Sequence, residues 1–326
     1  MANLEKLLTA YGGNVGREIE MRTDITLTKR EDALFYSTAA EVITPFTPSG
    51  ELDVDLLSNQ INFMIDNKIT GVFVNGLASE GLMMSGEDRL KALKTVVEAA
   101  NGRFPVMANI IGNSIGEGVK DAKLYADAGA DAVAITTPFI YKYTNDGFFE
   151  YHNTIANATD LPCYIYNEPA TGNKLSPELV AKLFAANEVF KGYKDSTQNI
   201  IELQTLIGLI EKGRHFELLC GCDAQITTTV MLGGTGGISL ISTIFPKLVI
   251  NVVEAAERGD WAESFEWQNK LIKVRAALKK GPFMAAYKYA GERVGNPLGK
   301  MKAPLAELND KEKAQLDETL TELGVY

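Results

Sequence analysis

Histidine and cysteine are scarce in this sequence: two histidines and three cysteines among 326 residues. His152 and His215 lie far apart, and neither stands at a metal-ligand spacing. A Ser-His-Asp triad would need one of them, and neither has a supporting motif. Cys163, Cys220 and Cys222 form an odd, small set, which speaks against a disulfide framework and for a reducing, cytoplasmic setting. Cys220-x-Cys222 lies in an apolar run where alternate residues share a strand face, so packing explains it better than a metal site does. No apolar run reaches bilayer length, and Met1 to Leu8 lacks the apolar core of a secretory signal. Basic residues are in deficit, 32 against 42 acidic ones, for a net charge of -10. An acidic surface repels phosphate backbones, so nucleic acid is not an expected partner. An anionic small molecule stays open, because one local cation can outweigh a distant field. Hydrophobic residues make up 46% of the chain, enough for a sizeable core, and the 23% of charged residues is ordinary for a globular protein.

Residues 1–37 read as a separate arm or cap, with a helix near Leu4 to Tyr11. From Ala39 a rhythm begins. Eight short apolar runs start at Ala40, Gly71, Val106, Ala132, Cys163, Val189, Glu217 and Gly237. Between them lie stretches of helical period, such as Leu56 to Asn67, Gly86 to Asn101, Ile115 to Ala128, Pro177 to Ala186 and Ile200 to Lys212. Alternating strands and helices imply parallel pairing with right-handed crossovers. Eight such units over residues 38–259 fit a (β/α)8 TIM barrel better than a doubly wound sheet, although periodicity alone admits both. Residues 260–326 read as three further helices, Trp261 to Lys279, Pro282 to Val294 and Asn309 to Leu323, punctuated by Gly295-Asn296-Pro297 and Pro304.

In such a barrel the chemistry sits at the C-terminal strand ends. Run six ends in Gly192-Tyr193-Lys194-Asp195-Ser196. A lysine there is either a snorkelling surface side chain or one drawn into the barrel mouth, where low dielectric disfavours the ammonium and frees a nucleophilic amine. Run five ends in Tyr166-Asn167-Glu168-Pro169, and Tyr166 is either packing or a proton carrier one strand from the lysine. Run two leads into Asn75-Gly76-Leu77-Ala78-Ser79-Glu80-Gly81, whose backbone N–H groups suit a carboxylate. Gly233 to Gly237 suits a phosphate loop, or close packing of helix on strand, which its place ahead of run eight favours.

Taken in order, these motifs resemble the dihydrodipicolinate synthase / N-acetylneuraminate lyase family from about Thr38 onward. Thr44-Pro45-Phe46 follows run one, and Gly76 to Glu80 matches a Gly-x-x-Gly-Glu loop. Ala128-Gly129-Ala130-Asp131 precedes run four and Thr137-Pro138-Phe139 leaves it. Leu161-Pro162, Tyr166-Asn167-x-Pro169, Lys194-Asp195-Ser196, Gly221-x-Asp223 and Gly236-Gly237-Ile238-Ser239 complete the set. The resemblance implies a barrel with C-terminal helices, assembled as a homotetramer. It implies Lys194 as Schiff-base lysine and Tyr166 as proton shuttle. It places the substrate at Ala78, Ser79, Thr171, Gly221, Asp223 and Ile238. The expected partners are a 2-keto acid such as pyruvate and an aldehyde, with no cofactor and no metal, since the imine itself is the electron sink.

Three departures refine this reading. Leu77 and Ala78 stand where the family usually carries hydroxyls, so a carboxylate would fall on backbone N–H groups and the Ser79 hydroxyl. The loop after Tyr166-Asn167-x-Pro169 runs Ala170-Thr171-Gly172, without the arginine that the synthases use for a second carboxylate. Ile140 stands where the synthases send a tyrosine across a dimer, with Tyr141 next to it. A 2-keto-3-deoxy sugar acid aldolase is therefore the leading expectation, ahead of an N-acetylneuraminate lyase and a 4-hydroxy-tetrahydrodipicolinate synthase. The other readings are a catalytically silent barrel that binds a 2-keto acid, and a phosphosugar enzyme using the glycine cluster.

Overall fold

Eight strands, Ser37–Glu41 (β1), Val72–Val74 (β2), Val106–Ile110 (β3), Ala132–Thr136 (β4), Cys163–Asn167 (β5), Phe190–Asp195 (β6), Glu217–Cys220 (β7) and Gly236–Ser239 (β8), pair in parallel and in chain order. β8 closes on β1, making a (β/α)8 barrel. This is a computed structural model, and it describes residues 27–326. The helix expected near Leu4 to Tyr11 lies outside them. The intervening helices are Val54–Asp66 (α1), Gly86–Ala100 (α2), Ile115–Asp127 (α3), Asn145–Ala156 (α4), Pro177–Ala186 (α5), Ile200–Leu209 (α6), Ile226–Met231 (α7) and Pro246–Glu257 (α8). Trp261–Leu278 (α9), Ala285–Arg293 (α10) and Asp310–Glu322 (α11) follow. None of these helices is long and apolar enough to cross a membrane.

The two-residue period of each strand divides the core. Val72, Val74, Val106, Ala108, Val133, Ile135 and Ile165 point outward and are covered by α1 to α6. Ala39, Phe73, Met107, Ala134, Tyr164, Tyr166, Leu219 and Ile238 point inward and fill the barrel. Six of the helices start on a capping side chain, Asp53, Ser85, Ser114, Thr144, Ser176 and Asn199, which accepts from a backbone N–H of the first turn. These caps end the β-to-α loops of the first six units at a defined residue, which anchors them at the barrel's C-terminal mouth.

The opposite end is plugged. Phe35 is fully buried, its ring edge-on to Tyr164 at 5.6 Å. The Glu217 carboxylate accepts from Leu34 N at 3.0 Å, Phe35 N at 3.1 Å and the Tyr164 hydroxyl at 2.6 Å. The Tyr164 ring needs Gly192 beside it, because a Cβ there would lie 2.2 Å from the ring. Gly236 has the same role between strands: its Cβ would meet Ser37 O at 2.0 Å. The glycine cluster at 233–237 thus lies ahead of β8, at the plugged end and away from Lys194.

Two expectations need correction. The first strand is Ser37–Glu41 rather than the run starting at Ala40. Ile43 is buried but has left the ladder: its N–H and C=O are bonded by the Gln60 side chain at 2.9 and 2.8 Å. The helix expected from Pro282 begins only at Ala285, because Met284 is left-handed, with φ of 58°. The C-terminal helices do not form a separate core. One apolar cluster runs from Ile43, Cys220 and Ile226 through Val252 and Leu271 to Leu320. Cys220 therefore packs outward into this cluster, and its sulfhydryl donates to Cys222 O at 3.1 Å.

His152, in α4, is fully buried. Its Nδ1 lies 2.8 Å from Phe148 O, and its Nε2 has no hydrogen-bond partner among the described residues. Burial lowers its pKa from the ordinary 6.5 to about 4. Between those values the unfolded chain binds a proton that the folded one does not, so stability falls as pH drops through this window. The loss should reach about 3 kcal/mol at the acid end. Denaturant titrations at pH 7, 5.5 and 4.5 should show the decline, and His152→Leu should flatten it. An unchanged acid limb in the variant would place its origin elsewhere.

Candidate active site

Lys194, the second-last residue of β6, points into the barrel and is fully buried. Its Nζ lies 3.6 Å from the centroid of the Phe73 ring and 4.0 Å from that of Tyr166. It donates to Glu41 Oε2 at 3.1 Å. Burial lowers the lysine pKa, and Glu41, Glu168 and Asp223 oppose that shift. The result is an amine in a dry, aromatic site with one carboxylate in contact.

Glu41 ends β1 and is 5% exposed. Its side chain runs past Gly76, where a Cβ would lie 2.0 Å from Oε1. Glycine at 76 is thus required for room rather than for backbone conformation. The Ser79 hydroxyl donates to Val42 O and lies 3.4 Å from Glu41 Oε1. The loop after β2 is clamped from the far side as well. Glu80 pairs with Lys288 Nζ at 2.6 Å and accepts from Lys302 N at 2.8 Å, and Lys288 also donates to Thr44 O at 2.8 Å. The loop, the segment after β1 and the C-terminal helices are therefore one unit.

Above Lys194 lies a cavity of about 480 Å³. Tyr166, Ala78, Gly221, Asp223 and Ile238, five of the residues expected from the sequence, line it together with Glu41. Lys194 itself does not, although it touches Glu41 and Tyr166 of the wall, and neither do Ser79 and Thr171. The Ser79 hydroxyl is turned to Val42, and the Thr171 hydroxyl donates to Glu168 O at 2.9 Å within its own turn. Leu77 and Ala170 face the cavity beside them. The backbone N–H groups of Leu77 and Ala78 make no hydrogen bond to any described residue, which leaves two donors in the wall.

The Tyr166 hydroxyl donates to Glu168 Oε2 at 3.1 Å. Burial, reinforced by Glu41 and Glu168, pushes its pKa well above the ordinary phenol value. The resting phenol is therefore protonated, able to lend a proton and take it back. Asp223 accepts from the Ser239 hydroxyl, and burial raises its pKa.

Glu41, Arg275 and Tyr287 are among the wall residues that escaped the sequence reading. Glu41 was visible as an acid inside an apolar run. Arg275 and Tyr287 come from α9 and α10, which gave no sign of facing the barrel mouth. The Arg275 guanidinium forms neither an ion pair nor a hydrogen bond with any described residue, although its charge opposes the rise of the Asp223 pKa. The segment 281–284 between those helices completes the rim. Ile140 and Tyr141 lie outside the cavity, 76% and 67% exposed.

A buried lysine at a barrel strand end, in contact with the wall of a cavity carrying carboxylates and a phenol, makes this the candidate active site. Residues 35–323 match the Dihydrodipicolinate synthetase family. A DapA-like lyase of Halobacterium salinarum is 32% identical over 87% of this chain and 92% of its own length. The 4-hydroxy-tetrahydrodipicolinate synthase of Methanocaldococcus jannaschii is 30% identical over 90% of this chain and 100% of its own. YagE of Escherichia coli K12 is named a putative 2-dehydro-3-deoxy-D-gluconate aldolase. Its crystal structure in complex with pyruvate matches with a TM-score of 0.86 and 28% identity, covering 90% of this chain and 100% of that one. The chain belongs to the dihydrodipicolinate synthetase family, and it is a lyase of the pyruvate-dependent class I aldolase type.

The Lys194–Glu41 contact makes a stability prediction. Removing one member of a buried pair leaves the other charge without a partner, at a cost of about 3–5 kcal/mol. Lys194→Met should destabilise by that order in denaturant titrations. Glu41→Gln added in the same chain should recover part of the loss. Strictly additive effects would show that the two groups do not interact.

Proposed function

We propose that Lys194 forms a Schiff base with a 2-keto acid and that the chain cleaves or makes a 2-keto-3-deoxy sugar acid from pyruvate and an aldehyde. One observation carries the reading: a fully buried amine of lowered pKa, held against two aromatic faces beneath the cavity. The neutral amine adds to the C2 carbonyl, the carbinolamine loses water, and the protonated imine withdraws electrons from C3. The C3–C4 bond then breaks or forms through the enamine. Tyr166, whose phenol stays protonated, carries the proton to and from the oxygen of the aldehyde. The unengaged N–H groups of Leu77 and Ala78 suit the donor's carboxylate and would orient C3.

The neutral polyol tail of a sugar acid fits a wall rich in acceptors, with Glu168 and Asp223 facing it. Arg275 favours a second reading, an aldehyde that carries a carboxylate or phosphate. The loop at 170–172 has no arginine, but Arg275 brings an unpaired guanidinium to the same cavity from α9. We also infer a homotetramer. Its support is the family resemblance and the exposed pair Ile140 and Tyr141, with the β-branched Ile140 held at φ of 68°. Light scattering should give the mass of four chains.

Incubation with pyruvate and borohydride, followed by peptide mass spectrometry, tests the imine. A reduced adduct on Lys194 is expected, and its absence would sink the aldolase mechanism. An aldehyde panel with pyruvate then separates the two substrate readings. Neutral hydroxyaldehydes should react best, with kcat/KM unaltered in Arg275→Ala. Faster turnover of an acid-bearing aldehyde, with a KM raised tenfold or more in that variant, would favour the second reading.

A further inference from the structure

We propose that Glu41 is the acid–base partner of Lys194: it accepts the ammonium proton before attack and returns it to the departing hydroxyl. The inference rests on the imine reading of Lys194. Among the described residues, Glu41 supplies the one side-chain hydrogen bond that Lys194 Nζ makes, at 3.1 Å. Tyr166 presents its ring to the nitrogen, and its hydroxyl is engaged with Glu168. An ammonium has no lone pair, so attack needs a proton acceptor already in contact with it. Glu41 is in contact, and it also lines the cavity where the carbonyl must enter.

The steps balance. The ammonium proton passes to Glu41, giving a neutral amine and a carboxylic acid. The amine adds to C2, forming the C–N bond and breaking the C–O π bond; Glu41 gives its proton to the oxyanion and takes one from the nitrogen, so that it is an acid again. Glu41 protonates that hydroxyl, the C–O bond breaks, and water leaves. The nitrogen lone pair forms the iminium and Glu41 is again a carboxylate. Pair and charge are then as they began, with an iminium in place of the ammonium, so the site need not rearrange as the covalent bond forms. The transient acid also removes a negative charge from beside the Leu77 and Ala78 N–H groups while the substrate's own carboxylate settles there. Gly76 gives the side chain room, and Ser79 lies against its other oxygen, so the carboxylate is fixed in place.

A structural salt bridge would behave differently. Glu41 raises the lysine pKa, so Glu41→Gln should increase the fraction of neutral amine. Reaction of Lys194 with cyanate needs only that amine and expels no water. Pyruvate trapping by cyanoborohydride needs dehydration too. Both rates are to be read at Lys194 by mass spectrometry in wild type, Glu41→Gln and Glu41→Asp, with thermal melts to confirm folding. The expected result is a trapping rate down by about a hundredfold in Glu41→Gln, with carbamylation undiminished. Glu41→Asp, which keeps an acid one methylene away, should lose less and covers the case in which Glu41→Gln does not fold. Equal trapping in wild type and variants would overturn the role of Glu41 while the imine stands. A parallel fall in carbamylation would reduce Glu41 to a spacer, which also overturns it. An untrapped wild type would remove the imine and this proposal together.

Discussion

A lysine inside a closed barrel must find its polar partner across the barrel, since no water or sheet edge is there to solvate it. Lys194 meets that demand with Glu41, which stands 153 residues earlier on β1. Much of the site follows from this contact. Phe73 and Tyr166 pack their rings on the nitrogen and keep the pair dry. Gly76 is small because the glutamate passes it. Ser79 is turned inward to the same carboxylate and to Val42. A larger residue at 76, or an apolar one at 41, would disturb the environment of the nitrogen without touching the lysine itself.

The barrel's two ends are built for opposite purposes. At the plugged end Glu217 gathers three donors and Phe35 fills the axis, so polar groups there are satisfied and apolar volume is closed. At the mouth, groups are left with capacity to spare: two backbone N–H groups after β2, a guanidinium on α9 and a carboxylate on β5's exit loop. Folding alone would favour filling those positions. Such unspent capacity marks a surface shaped for a ligand rather than for stability.

The architecture was legible because its signals are local. Short apolar runs and the stretches of helical period between them place β2 to β7 and α2, α3 and α5 within a residue or two. β1 was misplaced because Val42 and Ile43 are as apolar as a strand, while the bonds that end it come from Gln60, which the run itself does not contain. Lys194 and Tyr166 were readable from their places at strand ends and from the order of the flanking motifs. Glu41 was not, since an acid within a run has no meaning until closure brings β6 opposite β1. The Ser79 and Thr171 hydroxyls are engaged by backbone: Ser79 donates to Val42 O beyond β1, and Thr171 to Glu168 O in its own turn.

The absence of hydroxyls at Leu77 and Ala78 and the presence of an acid at Glu41 are two sides of one arrangement. The wall after β2 carries N–H donors without polar side chains at Leu77 and Ala78, and β1 places a carboxylate on the same cavity. A lysine needs a group that can take a proton and give it back. A threonine-like hydroxyl can relay a proton but is too weak a base to keep an extra one, whereas a carboxylate can take one up and give it back. Moving the polar function from a loop hydroxyl to a strand carboxylate therefore changes what the site demands of its tyrosine. On the proposed mechanism Glu41 handles the protons of the lysine nitrogen and leaves Tyr166 to the aldehyde oxygen. The Tyr166 hydroxyl donates to Glu168, which lines the same cavity.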